Sequence, residues 1–142
     1  MIYVDTSFLV PYFLKEPTSG AVEEKLMRIA PGNLCISMWT KAEFISVLAR
    51  KVRMRECSTE FADSTFVRFE NMAIRYYQVW EPISADFETS ARFMRNYETG
   101  LRAGDALHLA IAHNRAALDL FTLDAGLARA ANLLGIPASF GA

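Results

Sequence analysis

Short apolar runs alternate along this chain with longer stretches whose apolar positions recur every three or four residues. The first run, Ile2-Tyr3-Val4, is β-branched or aromatic with no polar break. That pattern predicts a short strand buried on both faces, at the centre of a sheet. Residues 34–37, 77–80 and 118–123 predict further strands, and 138–140 a final edge strand. The helical stretches predicted between them cover 8–14, 19–29, 38–53, 58–76, 85–97, 101–115 and 125–134. Pro11 is tolerable only in the first turn of its helix. Ser19 or Thr18 is placed to cap the second helix, and Pro31-Gly32-Asn33 is turn chemistry. In the third helix Trp39, Ala42, Ile45 and Ala49 form one stripe, widened by Phe44, Val47 and Leu48. In the fourth, Phe61, Phe66, Phe69, Ala73 and Tyr76 are expected towards the core. Strands alternating with helices predict an α/β fold with a mostly parallel sheet flanked by helices.

Composition narrows the class. With 142 residues and no linker, repeat or low-complexity tract, residues 1–142 read as a single domain. At 52% hydrophobic and 22% charged, the chain is globular. No apolar run is long enough to span a membrane, and the N-terminus lacks a basic region and a cleavage site, so a cytoplasmic protein is expected. Cys35 and Cys57 are too few for a metal knuckle and read as free, buried thiols. A net charge of −1 argues against a purely electrostatic nucleic-acid binder. Of the 15 basic residues, 11 are Arg, the better phosphate fork.

Four acids hold equivalent positions in the predicted fold. Asp5 and Asp124 each follow a strand, and Glu43 and Asp105 each lie in the first turns of a helix. Strand ends and helix starts share one rim of a parallel sheet, the rim where ligands bind. Each acid also has a plain structural role open to it. Asp5 and Asp124 can cap helices, Thr40-Lys41-Ala42-Glu43 fits a capping box, and Asp105 favours its helix dipole. Asp105 is the hardest to explain that way. Leu109 and Ala112 follow it on an apolar face, where a carboxylate needs a partner or a cation.

Clustered oxygen ligands suit Mg²⁺ or Mn²⁺. Such ions activate water and stabilise the leaving oxygen of a phosphodiester. Two of them would turn the formal charge from −1 to +3, which suits a polyanionic substrate. Arg50, two turns beyond Glu43 on the same helix, is a candidate phosphate contact within a basic cluster that also fits a solvated helix C-terminus. His108 and His113 have no second His or Cys at ligand spacing and stay outside the predicted site; His108 reads as a packed or hydrogen-bonded histidine.

The segments Val4-Asp5-Thr6-Ser7, Thr40-Lys41-Ala42-Glu43, Gly104-Asp105-Ala106-Leu107-His108-Leu109-Ala110 and Thr122-Leu123-Asp124, in that order, resemble the PIN-domain ribonucleases. Within that family the chain is most similar to VapC-type toxins of toxin–antitoxin pairs. The resemblance covers nearly the whole chain. It implies a three-layer α/β/α fold with a five-stranded parallel sheet, and Mg²⁺- or Mn²⁺-dependent cleavage of RNA. It makes Asp5, Glu43, Asp105 and Asp124 the metal-binding acids, with Asp5 and Asp105 closest. It gives Ser7 and Thr122 supporting hydrogen bonds. It also implies a homodimer, and a cognate antitoxin that blocks the acidic site; Phe13 and Trp39 are candidate members of its groove if exposed, with core packing the favoured reading of both. Two other readings stay open: an RNA-processing PIN nuclease without an antitoxin, and a PIN-like module that binds RNA or protein without cutting. A phosphatase of the haloacid-dehalogenase type wants a second Asp two residues after the first, where Ser7 stands.

Overall fold

Five parallel strands form one sheet, in the order β3-β2-β1-β4-β5. The structure is a computed structural model and describes residues 1–142. In chain order the elements are β1 (Ile2–Val4), α1 (Thr6–Phe13), α2 (Ser19–Met27), β2 (Leu34–Ser37), α3 (Met38–Arg53), α4 (Thr59–Tyr76), β3 (Tyr77–Trp80), α5 (Ser84–Arg95), a 3-10 turn (Tyr97–Thr99), α6 (Ala103–Asn114), β4 (Asp119–Thr122), α7 (Ala125–Leu133) and β5 (Ser139–Phe140). The opening strand is central, as its unbroken apolar pattern predicts. Tyr3 pairs with Cys35 on one side and Leu120 on the other.

Successive residues of β1 point to opposite faces, and each face has its own core. Val4 joins a cluster with residues of α1 to α4, including Phe8, Val22, Phe44 and Phe69. Tyr3 joins a second cluster with Phe93 of α5, Leu109 and Ile111 of α6, and Leu127 of α7. The chain is therefore a three-layer α/β/α fold. It runs outward from β1 through β2 to β3, then returns to add β4 and β5 on the other side of β1. That reversal puts a topological switch point between β1 and β4, and a crevice at their carboxyl ends. No helix is long and apolar enough to cross a membrane.

Several local expectations change. α1 starts at Thr6, because the Asp5 carboxylate caps it by accepting the Phe8 N–H at 3.0 Å. Pro11 is consequently the sixth residue of the helix rather than part of its first turn. The buried face of α3 is Thr40, Phe44 and Leu48, while Ala42 and Ile45 are exposed. In α4, Phe69 and Ala73 are buried, but Phe61 and Tyr76 are exposed. Cys35 is buried and Cys57 only partly so, and both are free thiols.

Aromatic packing holds α3 and α4 together. Phe44 and Phe69 stack with centroids 4.4 Å apart, and Phe13 meets both edge-on. Phe69→Ala should lower stability by about 3–5 kcal/mol, the usual range for emptying a buried phenylalanine site. Urea unfolding checks this; a loss below about 1 kcal/mol would mean the two helices are held by other contacts.

Candidate active site

The carboxyl ends of β1 and β4 and the first turns of α3 and α6 open on one cavity of about 300 Å³. Asp5, Glu43, Asp105 and Asp124 all line it. The four acids come from four segments of the chain, and the fold gathers them as the strand-end and helix-start positions predict. Two glycines give them room. A Cβ on Gly104 would stand 3.1 Å from Glu43 Oε2, and one on Gly126 would stand 3.1 Å from Asp124 Oδ1.

Asp5 is buried and fully engaged. Its Oδ1 accepts from Ser7 Oγ at 2.7 Å and from the Phe8 N–H, and its Oδ2 accepts from Thr122 Oγ1 at 2.7 Å. Ser7 and Thr122 are themselves tied to the β4 end, where the Leu123 N–H donates to Ser7 Oγ and the Asp124 N–H to Thr122 Oγ1, each at 2.9 Å. The cap and the site are thus one arrangement: Asp5 starts α1 and stitches β1 to β4 at the cavity floor. Burial pushes its carboxyl above the ordinary value, opposed by His108, Thr122, Ser7 and the Phe8 amide.

Glu43 is not part of a capping box. β2 ends in Ser37, whose hydroxyl accepts the Thr40 N–H, and the Thr40 hydroxyl returns to the Ser37 N–H. The box is closed one turn before Glu43, which leaves that side chain free for the cavity. Its Oε1 accepts from Thr6 Oγ1 at 2.6 Å and is also hydrogen-bonded to His108 Nε2. Burial works against the ionised form, but the bond from His108, its charge and the Thr6 bond outweigh it and hold the carboxyl below the ordinary value.

Asp124 caps α7 by accepting the Leu127 N–H at 3.0 Å. Asp105 has no comparable partner. It is half-buried and accepts no hydrogen bond. Burial raises its carboxyl above the ordinary value, and the charges of Asp124, Glu43 and Asp5 add to the rise against His108. As the side chains stand, no three His, Cys, Asp or Glu groups are close enough together to hold an ion. The donor set itself fits a hard divalent cation: four carboxylates, and one of them half-buried with its charge uncompensated.

Arg50 is exposed on α3 and does not line the cavity. Phe13 is buried in the aromatic core, and Trp39 is half-buried with its indole N–H donating to the Gly104 carbonyl at 3.2 Å. Neither is an exposed groove residue. The sequence assigns Thr6 and Arg102 no role and leaves His108 outside the predicted site, yet all three border it. His108 is indeed packed and hydrogen-bonded, and it also reaches the cavity wall. Past Asp105 and Asp124 the cavity continues into a second cleft of about 300 Å³, bordered by Arg102.

Residues 2–133 match the family model of the PIN domain. No curated protein matches the sequence. Among solved structures the fold is similar to that of FitAcB from Neisseria gonorrhoeae, with a TM-score of 0.76 at 19% identity, covering 99% of this chain and 97% of that one. It is also similar to VapC20 of Mycobacterium tuberculosis, described as a sarcin–ricin loop cleaving toxin, with a TM-score of 0.72 at 19% identity over 92% and 95% of the two chains. VapBC-5 from the same organism, a member of the VapBC family of toxin–antitoxin systems, gives a TM-score of 0.60 at 19% identity over 97% and 94%. At these identities the likeness is one of fold.

Proposed function

The chain belongs to the PIN-domain family, and on that premise we propose that it is a metal-dependent endoribonuclease that acts as the toxin of a toxin–antitoxin pair. One observation carries the reading: four carboxylates from separate segments line one cavity at the switch point of the sheet, and the half-buried Asp105 among them has no partner. Asp5, Glu43, Asp105 and Asp124 would hold Mg²⁺ or Mn²⁺. Bound there, the ion would supply the positive charge that activates water and stabilises the leaving oxygen of an RNA phosphodiester.

The chain's own contributions follow from its hydrogen bonds. Ser7, Thr122 and the Phe8 amide fix Asp5 from three directions, so its orientation is set before any ligand arrives. Thr6 fixes Glu43. Asp105 and Asp124 stand between the main cavity and the second cleft. An RNA strand lying across them would bring a flanking phosphate towards Arg102. Arg50, exposed two turns beyond Glu43, remains a candidate for a phosphate further along the strand.

The antitoxin is proposed on two grounds. VapC20 and VapBC-5, whose folds are similar, are described respectively as a toxin and as a member of a toxin–antitoxin family. The cavity is acidic, so a partner carrying Lys or Arg would neutralise it and exclude RNA together. A homodimer and a cytoplasmic location complete the reading. The test is one gel. Purified protein, free of any partner, is incubated with total RNA under Mg²⁺, Mn²⁺ or EDTA, beside Asp5→Asn. Discrete fragments that need metal and vanish in the variant are expected. Cleavage that persists in EDTA, or in the variant, would overturn the assignment.

A further inference from the structure

We infer that His108, itself oriented by Tyr3, is a positioning residue that sets the Glu43 carboxylate for metal binding; the inference rests on the metal-site reading above. The observation is a buried chain of hydrogen bonds that ends at the cavity. Tyr3 is fully buried in β1, and its hydroxyl lies 2.8 Å from Ser37 Oγ and 2.8 Å from His108 Nδ1. The other ring nitrogen of His108, Nε2, is bonded to Glu43 Oε1.

The acceptor at the end fixes the direction of the chain. A carboxylate only accepts, so Nε2 carries the hydrogen that goes to Glu43. In the neutral ring Nδ1 then accepts from the Tyr3 hydroxyl, whose oxygen accepts from Ser37; in the charged ring Nδ1 donates to the Tyr3 oxygen instead, and Nε2 donates to Glu43 in both. Longer contacts flank the chain, from Nε2 to Thr6 Oγ1 at 3.4 Å and from the Tyr3 hydroxyl to Thr40 Oγ1 at 3.5 Å, and no buried side-chain polar atom lacks a partner.

A purely structural origin explains this chain poorly. Tyr3 lies in the otherwise apolar core between the sheet, α6 and α7. Phe at position 3 and Leu at position 108 would fill that core and leave only Ser37 and Thr40, which already pair with each other, and a buried polar network has no advantage over apolar packing by itself. What the chain does is reach a surface carboxylate. Glu43 leaves α3 on a flexible side chain that is 28% exposed. His108 and Thr6 both bind Oε1, which immobilises the group and leaves Oε2 without a hydrogen bond, on the side of Gly104 at the start of α6. Asp105 belongs to the same first turn of that helix. His108, one turn further on, therefore sets the distance between two of the four acids.

Calorimetric Mn²⁺ titration of metal-free protein tests the inference without reference to activity. The variants are Tyr3→Phe, His108→Leu, His108→Gln and the double variant Tyr3→Phe/His108→Leu, each first shown to melt cooperatively. His108→Leu should weaken Mn²⁺ binding by roughly tenfold or more, the usual size of a lost outer hydrogen bond to a metal ligand. His108→Gln should recover most of the loss, because its amide nitrogen can donate to Glu43 in place of Nε2. Tyr3→Phe should weaken binding less, and should add nothing in the His108→Leu background, since it acts only through the ring. With RNA as substrate, His108→Leu should lower kcat and leave KM nearly unchanged. Should His108→Leu fail to fold, Tyr3→Phe against His108→Gln still decides. Unchanged Mn²⁺ affinity in His108→Leu, or in Tyr3→Phe where that variant decides, would overturn the positioning role while the metal reading stands, and so would equal losses for Leu and Gln. A folded wild type that binds no Mn²⁺ would overturn the metal reading and this inference with it.

Discussion

Asp105→Asn should abolish RNA cleavage and at the same time raise the melting temperature of the metal-free protein. The first effect follows from the role proposed for the site. A metal-stabilised transition state gains several kcal/mol from the ion's charge, and each 1.4 kcal/mol is about tenfold in rate, so the loss should be about a thousandfold or more. The second effect follows from electrostatics. Burial and three neighbouring carboxylates raise the Asp105 carboxyl above its ordinary value. An acid raised in the folded state binds its proton more tightly there than in the unfolded chain. Its contribution is favourable below the unfolded value and is lost as pH rises through the folded one. At neutral pH the ionised group is therefore a net cost to folding.

Asn removes that cost but also removes the favourable interaction of an acid with the start of α6, worth about 0.3–1 kcal/mol. The cluster should win, because it sets burial and three like charges against a single half-exposed dipole interaction. The gap between variant and wild type should be widest near pH 7 and shrink towards about pH 4, where a carboxylate titrates in the unfolded chain. Mn²⁺ should stabilise the wild type by mass action and the variant much less. A variant that melts lower than the wild type at pH 7 would return Asp105 to an ordinary helix-start acid, and full cleavage would remove it from the site.

The contrast between Asp105 and the other acids also shows what the sequence could and could not reveal. The central place of the first strand follows from Ile2-Tyr3-Val4, because a strand buried on both faces has nowhere to go but the middle of a sheet, whereas the order of the other four strands is read only from the structure. The shared rim then follows from topology alone, and it placed Asp5, Glu43, Asp105 and Asp124 around one cavity. What could not be read is who bonds to whom. Thr6–Glu43 spans 37 positions, Asp5–Thr122 spans 117 and Tyr3–His108 spans 105. No local pattern records such pairs. The same blindness misjudged α3. Apolar periodicity favoured Trp39, Ala42 and Ile45, yet the helix buries Thr40, whose hydroxyl is satisfied by Ser37. A polar residue with a buried partner looks, in sequence, like one that faces water. Glu43 was obscured for a different reason: Thr40 and Glu43 have the spacing of a capping box, but the strand stops at Ser37, and the residue that ends the strand takes the cap.

Arg115→Met should be as damaging to stability as Phe69→Ala, and it should leave the site working. Asp86 at the start of α5 is a fully buried acid, as striking in burial as Asp5. Its surroundings are the reverse of those of Asp105. Burial opposes its charge, but the Ile83 N–H, Asn114 and Arg115 outweigh it and hold the carboxyl below the ordinary value. Arg115 Nη1 lies 3.0 and 3.1 Å from the two carboxylate oxygens, and Nη2 donates to the Glu81 carbonyl at 2.5 Å. The guanidinium also lies over the Trp80 ring, 5.6 Å from its centre. One cation thus ties the end of α6 to the loop between β3 and α5. Removing it leaves the buried carboxylate without a cation, held only by the Ile83 N–H and Asn114, which costs about 3–5 kcal/mol and lowers the melting temperature on the order of 10 °C in a chain of this length. A depressed acid stabilises the fold above its unfolded value and loses that contribution as pH falls through the folded one. The gap between wild type and Arg115→Met should therefore be full at pH 7 and close in acid. Mn²⁺ affinity and cleavage, measured well below the melting range, should match the wild type. A folded Arg115→Met protein that no longer binds Mn²⁺ would mean that this pair, 10 residues beyond Asp105 on the chain, governs the geometry of α6 at the cavity, and that the acids of this fold cannot be sorted into structural and functional by their hydrogen bonds alone.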